Sequence, residues 1–384
     1  MKKVLILSCN TGAGHNSCAR SIKEVMLSHG VSCEIEDALR FISQRSSNII
    51  SNGHIGIYRH TPKIFSKGYA YAETHRSLFA EGRAIYGYLT KASDGIAALI
   101  KNHGYDTVIC THPFTALMLT DVLKHHSLSI VSAFIATDYT CSPTVEQSAL
   151  DLCFIPNEAL TDEFITFGYP REKIVPCGIP IRKAFFEKQA LSEAKARLDI
   201  PTEHSHLLMS CGSMGAGPMK KIARLLAERL CDTQTLSIVC GTNQPLYEKF
   251  CKEFEQKKNI RVYGYVENMS ELMDSADLYV MKPGGISVTE AVAKSLPMVF
   301  INAVAGCELH NMNFFLKHKC AFAADTPEAL ADLCNSLLGN CRALDDMRSA
   351  LTGLGCGNAA EMIYNRLSDL WRKEEITKND LHTV

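Results

Sequence analysis

The sequence predicts an α/β protein of two Rossmann-like domains, and three observations predict it. Short apolar runs alternate with helix-length amphipathic stretches. Each half opens with the same succession of apolar run, glycine-rich turn and helix. The chain of 384 residues is too long for one ordinary core, which sets two domains of roughly 150–200 residues each as the default.

In the first half the apolar runs are VLILSC (4–9), SCEIEDA (32–38), DTVICTH (106–112), SIVSAFIATD (129–138) and LDLCFIP (150–156). In the second half they are HLLMSCG (206–212), TLSIVCG (235–241), IRVYGYV (260–266), DLYVMKPGG (277–285), PMVFINAV (297–304) and the weaker CAFAAD (320–325). Runs of this length, rich in Val and Ile and separated by helical segments, are expected to be parallel strands in βαβ units. The repeated opening is VLILSCNTGAGHN in one half and LLMSCGSMGAGP in the other. Gly178 and Pro180 punctuate the segment between them. The predicted division is therefore 1–177 and 178–357, with a last helix and tail at 358–384 that crosses back to the first domain.

Residues 40–91 break the alternation. Arg40, Arg45, Arg59, Lys63, Lys67, Arg76, Arg83 and Lys91 stand against only Glu73 and Glu81, with Tyr58, Phe65, Tyr69, Tyr71, Phe79, Tyr86 and Tyr88 interleaved. One reading is a helical insertion with a solvated basic face. The other is an interfacial surface, basic residues meeting anionic headgroups and aromatics lying at the boundary.

Composition narrows the function classes. Hydrophobic residues at 46% and charged residues at 21% are those of a globular chain. A formal net charge of −1 argues against bulk nucleic-acid binding. The 16 cysteines form no C-x-x-C pair, and many lie in apolar runs, as Cys110, Cys153, Cys211 and Cys240 do. Buried reduced thiols and a cytoplasmic location are the expectation. The run after Lys2 and Lys3 ends at Asn10, too short for a signal peptide's apolar region, and no stretch reaches the ~18 apolar residues of a membrane span.

The candidate site residues come from the turns. In MKPGGISVTEAVAKSLPMVF (281–300), a helix beginning near Ile286 would aim free N–H groups and its positive dipole end at the Gly284-Gly285 turn, as suits a diphosphate. Ser287 and Thr289 could cap the helix or touch phosphate, and Glu290 could accept hydrogen bonds from a ribose diol. CGSMGAGP (211–218) supplies a second glycine loop with Gly212 and Ser213, GYVENM (264–269) a turn at Val266 suited to a planar base, and AVAGCELHN (303–311) places Glu308 and Asn311 for sugar hydroxyls. Such loops at successive strand ends are expected to share one crevice. In the first half, Gly12 and Gly14 clear side chains from a turn that ends at His15. At a helix start His15 is expected to stay neutral and to serve as a general base. His112 at a strand end is the second choice. Asp138 follows an apolar run, where an acid is an ordinary helix or turn cap.

Taken together, TGAGHNSCARSI (11–22), GIPI (178–181), CGSMGAGP, GYVENM and KPGGISVTEA (282–291) resemble the monogalactosyldiacylglycerol synthase and processive diacylglycerol glucosyltransferase family. That family is related to the lipid-linked N-acetylglucosaminyltransferase of peptidoglycan synthesis. The resemblance spans nearly the whole chain. It implies a GT-B fold with two domains facing a central cleft, inversion at the anomeric carbon, a UDP-sugar donor, a diacylglycerol-type lipid acceptor and no cofactor or obligatory metal; the chain has no Asp-x-Asp triplet. It further implies peripheral attachment to an anionic membrane surface on the cytoplasmic face. His15 would take the acceptor proton, Asp138, where the family has an acid, would orient His15 or contact the acceptor, amides around Gly285 to Ser287 would hold the leaving diphosphate, and closure about 178–186 would exclude water. Many members carry His and Trp where this chain has Ser142 and Val145, and Gln where it has Cys307. The acceptor lipid and the choice of glucose or galactose therefore stay open. So do another lipid-linked or small-molecule acceptor, a UDP-sugar-binding protein with little transfer activity, and a nucleotide-sugar epimerase.

Overall fold

The structure, a computed structural model, describes residues 2–10, 13–43, 62–210, 212, 218–301, 306–355 and 357–381. The chain divides into two compact units. The first comprises Met1–Ile55, Ala70–Arg182 and Cys356–Val384; the second comprises Gly56–Tyr69 and Lys183–Gly355.

The first unit is built on six strands: β1 (Lys3–Ser8), β2 (Ser32–Asp37), β3 (Thr107–Cys110), β4 (Val131–Ile135), β5 (Leu152–Ile155) and β6 (Ile174–Pro176). Their order is β2-β1-β3-β4-β5-β6, with every neighbouring pair parallel. The second unit carries β7 (Ser205–Ser210), β8 (Gln234–Val239), β9 (Ile260–Tyr263), β10 (Leu278–Met281), β11 (Met298–Phe300) and β12 (Ala321–Ala323). They are ordered β12-β11-β10-β7-β8-β9 and are likewise all parallel. A parallel sheet is covered by helices on both faces, so its strands are apolar without alternation; β3, β4, β5, β8, β10 and β11 are buried at every position.

All eleven apolar runs became strands. The twelfth, β6, lies in the segment read from sequence as a boundary. It is three residues long, ends in Pro176 and occupies the sheet edge, where a residue without an N–H is tolerated.

Strand order fixes where ligands can bind. Open parallel sheets bind them beyond the carboxyl ends of the strands, where the order reverses. In the first sheet that point lies between β1 and β3; in the second, between β7 and β10. The turns following these four strands contain His15, Thr111–His112, Gly212 and Gly284–Gly285.

The closing helix Ala359–Leu381 belongs to the first unit and packs on the helix Ala13–Ser28. His29 stacks on Tyr364 with ring centroids 3.8 Å apart and reaches Glu361 at 2.9 Å. Trp371 is buried, and its indole N–H donates to Thr107 Oγ1 at 2.9 Å at the start of β3. The crossing back expected from sequence is thus pinned by an aromatic anchor.

The 40–91 region is helical where described: Pro62–Thr74 and Ala84–Leu89, with single-turn 3-10 segments at Ala38–Phe41, Arg76–Phe79 and Thr90–Ala92. Its expected basic surface is only partly free. Arg76 is half-buried, pairs with Glu146 at 3.3 Å, donates to the Cys141 carbonyl and lies 3.4 Å over the Phe167 ring. Phe79 is buried, and the Tyr86 hydroxyl donates to Asp121 at 2.7 Å. These three side chains stabilise the fold, because each has a partner within the unit that outcompetes solvent. Tyr58, Arg45 and Arg59, with the side chains of Lys63 and Phe65, lie outside the described residues.

The described cysteines are thiols outside any disulfide, and most are buried. Burial pushes Cys110, Cys141 and Cys334 up to about 12, so they act as small hydrophobes, as the sequence predicted.

Candidate active site

In the first unit the helix Ala13–Ser28 begins two residues before His15, which places that ring in the first turn. The turn before it is tied down by side chains. Ser8 donates to Asn16 Oδ1 at 2.7 Å, Asn16 to Asn10 Oδ1 at 2.7 Å, and Asn10 to Asp37 at 2.9 Å. Gly14 lies within the same first helical turn and is half-buried.

His15 Nδ1 stands 2.8 Å from the carbonyl oxygen of Thr111 and 3.0 Å from Thr137 Oγ1. A carbonyl only accepts, so the Nδ1 atom carries the proton and the neutral ring presents its lone pair at Nε2. That is the tautomer a general base needs. His112 is held the opposite way. Its Nδ1 accepts the Phe114 N–H at 3.1 Å and caps the helix Pro113–His125. In the neutral ring of His112 the proton therefore sits on Nε2. The two rings touch edge-on, centroids 4.4 Å apart and planes inclined 61°. His112, second choice for the base, is a capping residue beside it. Thr137 was given no role from sequence; the signal is its place beside Asp138 at the end of the β4 run. The Thr111 hydroxyl is fully buried and has no hydrogen-bond partner among the described residues.

Asp138 is half-buried in the bend after β4. The loop that follows is fixed by Glu163, whose carboxylate accepts from Thr140 Oγ1 and the Cys141 N–H, both at 2.7 Å. Val145 is buried and Ser142 half-buried. Val145, one of the two departures from the family pattern, is thus packed into the interior.

In the second unit the helix Gly285–Lys294 follows β10 with Gly284 as its N-cap. No described side chain caps it, so its leading N–H groups face the turn. Gly284 has an ordinary φ of −76°, and a Cβ built there would meet no atom of the described residues within 4 Å. Among the described residues, neither backbone strain nor packing requires glycine at 284. Gly212, after β7, has φ +73°, a left-handed conformation that does favour glycine. Ser213 lies outside the described residues.

The helix ends where Ser295 turns left-handed, just before Leu296-Pro297. Ile286, Ser287 and Glu290 are half-buried along its first turns. Thr289 is fully buried, and its hydroxyl donates back to the Gly285 carbonyl at 2.7 Å. It braces the helix start. Asn311 is also turned inward. It is fully buried, and its amide donates to the Pro283 carbonyl at 2.9 Å. Asn311 thus holds the turn. Glu308 remains half-buried in the first turn of the helix Cys307–Lys317, and Val266 half-buried in the loop after β9.

The comparisons agree with this architecture. Residues 15–181 match the family model described as monogalactosyldiacylglycerol (MGDG) synthase, and residues 218–351 match glycosyl transferases group 1. The chain is similar to the processive diacylglycerol beta-glucosyltransferase of Bacillus licheniformis, 25% identical across 100% of this chain and 98% of the relative. The enzyme of that name from Staphylococcus carnosus is 28% identical, covering 92% and 89%. Among solved structures, MurG of Acinetobacter baumannii superposes with a TM-score of 0.64 at 15% identity, covering 96% of this chain and 100% of MurG. A putative UDP-N-acetylglucosamine 2-epimerase of Listeria monocytogenes gives a TM-score of 0.63 at 12% identity, covering 97% and 98%. These two likenesses establish the fold, which is GT-B. The chain thus carries an MGDG synthase domain over 15–181 and a group 1 glycosyl transferase domain over 218–351, and it is similar along its whole length to curated processive diacylglycerol beta-glucosyltransferases.

Proposed function

We propose that this protein is an inverting glycosyltransferase that moves a hexose, glucose or galactose, from a UDP-sugar to diacylglycerol or a related membrane lipid, giving a β-glycolipid. The observation that carries the reading is the held imidazole of His15. In the neutral ring Nδ1–H donates to the Thr111 carbonyl, which makes Nε2 the acceptor atom, at the switch point of the first sheet.

The roles divide between the units. His15 Nε2 takes the proton of the acceptor hydroxyl as that oxygen attacks C1 of the sugar. Asp138 adjoins in sequence Thr137, whose hydroxyl meets His15 Nδ1, and on this reading acts on the acceptor side. In the second unit the N–H groups at the start of the helix Gly285–Lys294 meet the charge of the leaving diphosphate, so that no metal is required. Ile286 and Ser287 line that helix start, Gly212 the neighbouring loop, Val266 the base, Glu290 the ribose and Glu308 the sugar hydroxyls. Relatives named for diacylglycerol glucosylation support the acceptor.

Peripheral attachment to an anionic, cytoplasm-facing membrane is part of the proposal. No described helix is long and apolar enough to cross a bilayer. The helix Ala84–Leu89 exposes Ile85 and Tyr88, flanked by exposed Arg83 and Lys91, an apolar face with a basic rim.

The deciding experiment offers UDP-glucose and UDP-galactose separately with diacylglycerol vesicles, with products read by mass spectrometry. A hexosyl-diacylglycerol is expected, lost in His15→Ala with UDP binding retained. Donor converted without acceptor would instead reveal an epimerase, and UDP binding without any turnover a binding protein.

A further inference from the structure

Tyr69 comes from the region between β2 and β3, far in sequence from the donor motifs, yet it belongs to the second unit. Its hydroxyl lies 2.9 Å from Cys307 Sγ. Its ring lies on the α-carbon of Gly306: a Cβ built at 306 would come within 2.9–3.1 Å of three ring carbons. Gly306 has φ +68° and is the N-cap of the helix Cys307–Lys317. Two independent constraints, the left-handed backbone and the ring above it, therefore call for glycine there.

The helix so capped carries Glu308 in its first turn and, one turn on, Asn311, which holds the Pro283 carbonyl of the donor turn. Tyr69 thus grips a helix that carries both the proposed sugar carboxylate and the residue that holds the proposed diphosphate turn. It does so at the residue, Cys307, where the sequence departs from the family pattern.

We infer that Tyr69 is a positioning residue for the donor sugar: ring on Gly306 and hydroxyl on Cys307, it sets the first turn of the helix Cys307–Lys317 and so the reach of Glu308. The inference rests on the donor-site reading given above. It assigns the choice among hexoses in part to a residue outside the donor-binding sequence motifs. Cys at 307 is a shorter side chain than the Gln of many family members. The Tyr69–Cys307 pair fixes the helix start.

The test measures UDP and UDP-glucose affinity by calorimetry, and donor KM and kcat, for the full chain and for Tyr69→Phe, Tyr69→Ala and Cys307→Ser. Tyr69→Phe keeps the ring and loses one hydrogen bond, so UDP-glucose should bind about three- to tenfold more weakly. UDP alone should bind within about twofold of the unsubstituted protein, because the nucleotide contacts are untouched. Tyr69→Ala should lose more, in donor KM rather than kcat. Cys307→Ser keeps a partner for the Tyr69 hydroxyl and should stay close to the starting affinity. Equal weakening of UDP and UDP-glucose in both Tyr69 variants, or no weakening in either, overturns the inference. If the unsubstituted protein binds no UDP, the donor-site reading itself falls and takes the inference with it. UDP binding with no sugar-selective effect sinks the inference alone.

Discussion

The side-chain amide of Asn311 donates to the carbonyl of Pro283 at 2.9 Å, from a position with no solvent exposure. A helix that follows β11 thereby fixes the turn that follows β10. A proline carbonyl in a glycine turn has no regular ladder partner, and burial makes an unmet acceptor costly. The shape of the proposed diphosphate site is thus set by a residue 28 positions away.

Asn311→Leu should therefore destabilise the second unit by about 1–3 kcal/mol, the cost of leaving a buried carbonyl unsatisfied. Asn311→Asp should cost more, since a carboxylate brings a second acceptor to the carbonyl instead of a donor. Urea unfolding followed by circular dichroism measures both. UDP affinity should fall with stability, because the turn and its amides relax together.

His15→Ala should lower kcat by about a hundred- to ten-thousand-fold, the usual contribution of a positioned base. Thr137→Val removes one of the two groups at Nδ1 and leaves the Thr111 carbonyl, so its effect on kcat should be smaller, about three- to tenfold. Unchanged donor KM in both variants would separate base chemistry from binding. Full activity in His15→Ala refutes the assignment.

Acid should weaken the second unit selectively. His206, fully buried in β7, is bonded through Nδ1 to the Ser275 carbonyl and through Nε2 to Ser237. Burial lowers its pKa from 6.5 to about 4. Between these values the unfolded chain binds a proton that the folded one refuses, so stability falls as pH drops from 6.5 to about 4 and changes no further from this group below that. The full effect is about 3 kcal/mol. Hydrogen exchange of β7 and β8 from pH 7 to 4.5 should show the loss, and His206→Gln should flatten it.

Trp371 is the only tryptophan in the chain, so indole fluorescence reports on the first unit alone. Trp371→Ala should cost about 3–5 kcal/mol from the lost packing. Trp371→Phe should cost less and leave the Thr107 hydroxyl without its donor. Amide exchange across the helix Ala359–Leu381, which both variants should accelerate, measures the effect when the fluorophore is gone.

Membrane attachment should follow the exposed helix and not the whole basic region. Ile85→Ser combined with Tyr88→Ser should reduce flotation with anionic vesicles at low salt. Arg76→Ala should lower thermal stability instead, because that guanidinium is engaged with Glu146 and Phe167. Unchanged flotation in the Ile85/Tyr88 double variant would move the membrane surface elsewhere.

Much of this protein was legible in its sequence because parallel strands buried on both faces must be apolar throughout. Strands β3, β4, β5, β8, β10 and β11 stood out as runs for that reason, and the glycine turns marked the candidate ligand-binding edges. His15 was legible as well, since its turn places it at a helix start whatever the rest of the fold does. Interactions between distant segments were not. Which ring nitrogen of His15 is bare depends on Thr111 and Thr137, about 100 residues away in sequence. Thr289 and Asn311 carry the polarity of ligand contacts, yet burial turned both inward to brace the donor turn. The strand β6 was hidden because three residues ending in proline carry no periodic signal. Local pattern determines elements and their order; tertiary structure decides which polar groups are used up by the protein and which remain to meet a ligand, because a buried donor or acceptor must find its partner wherever the fold supplies one.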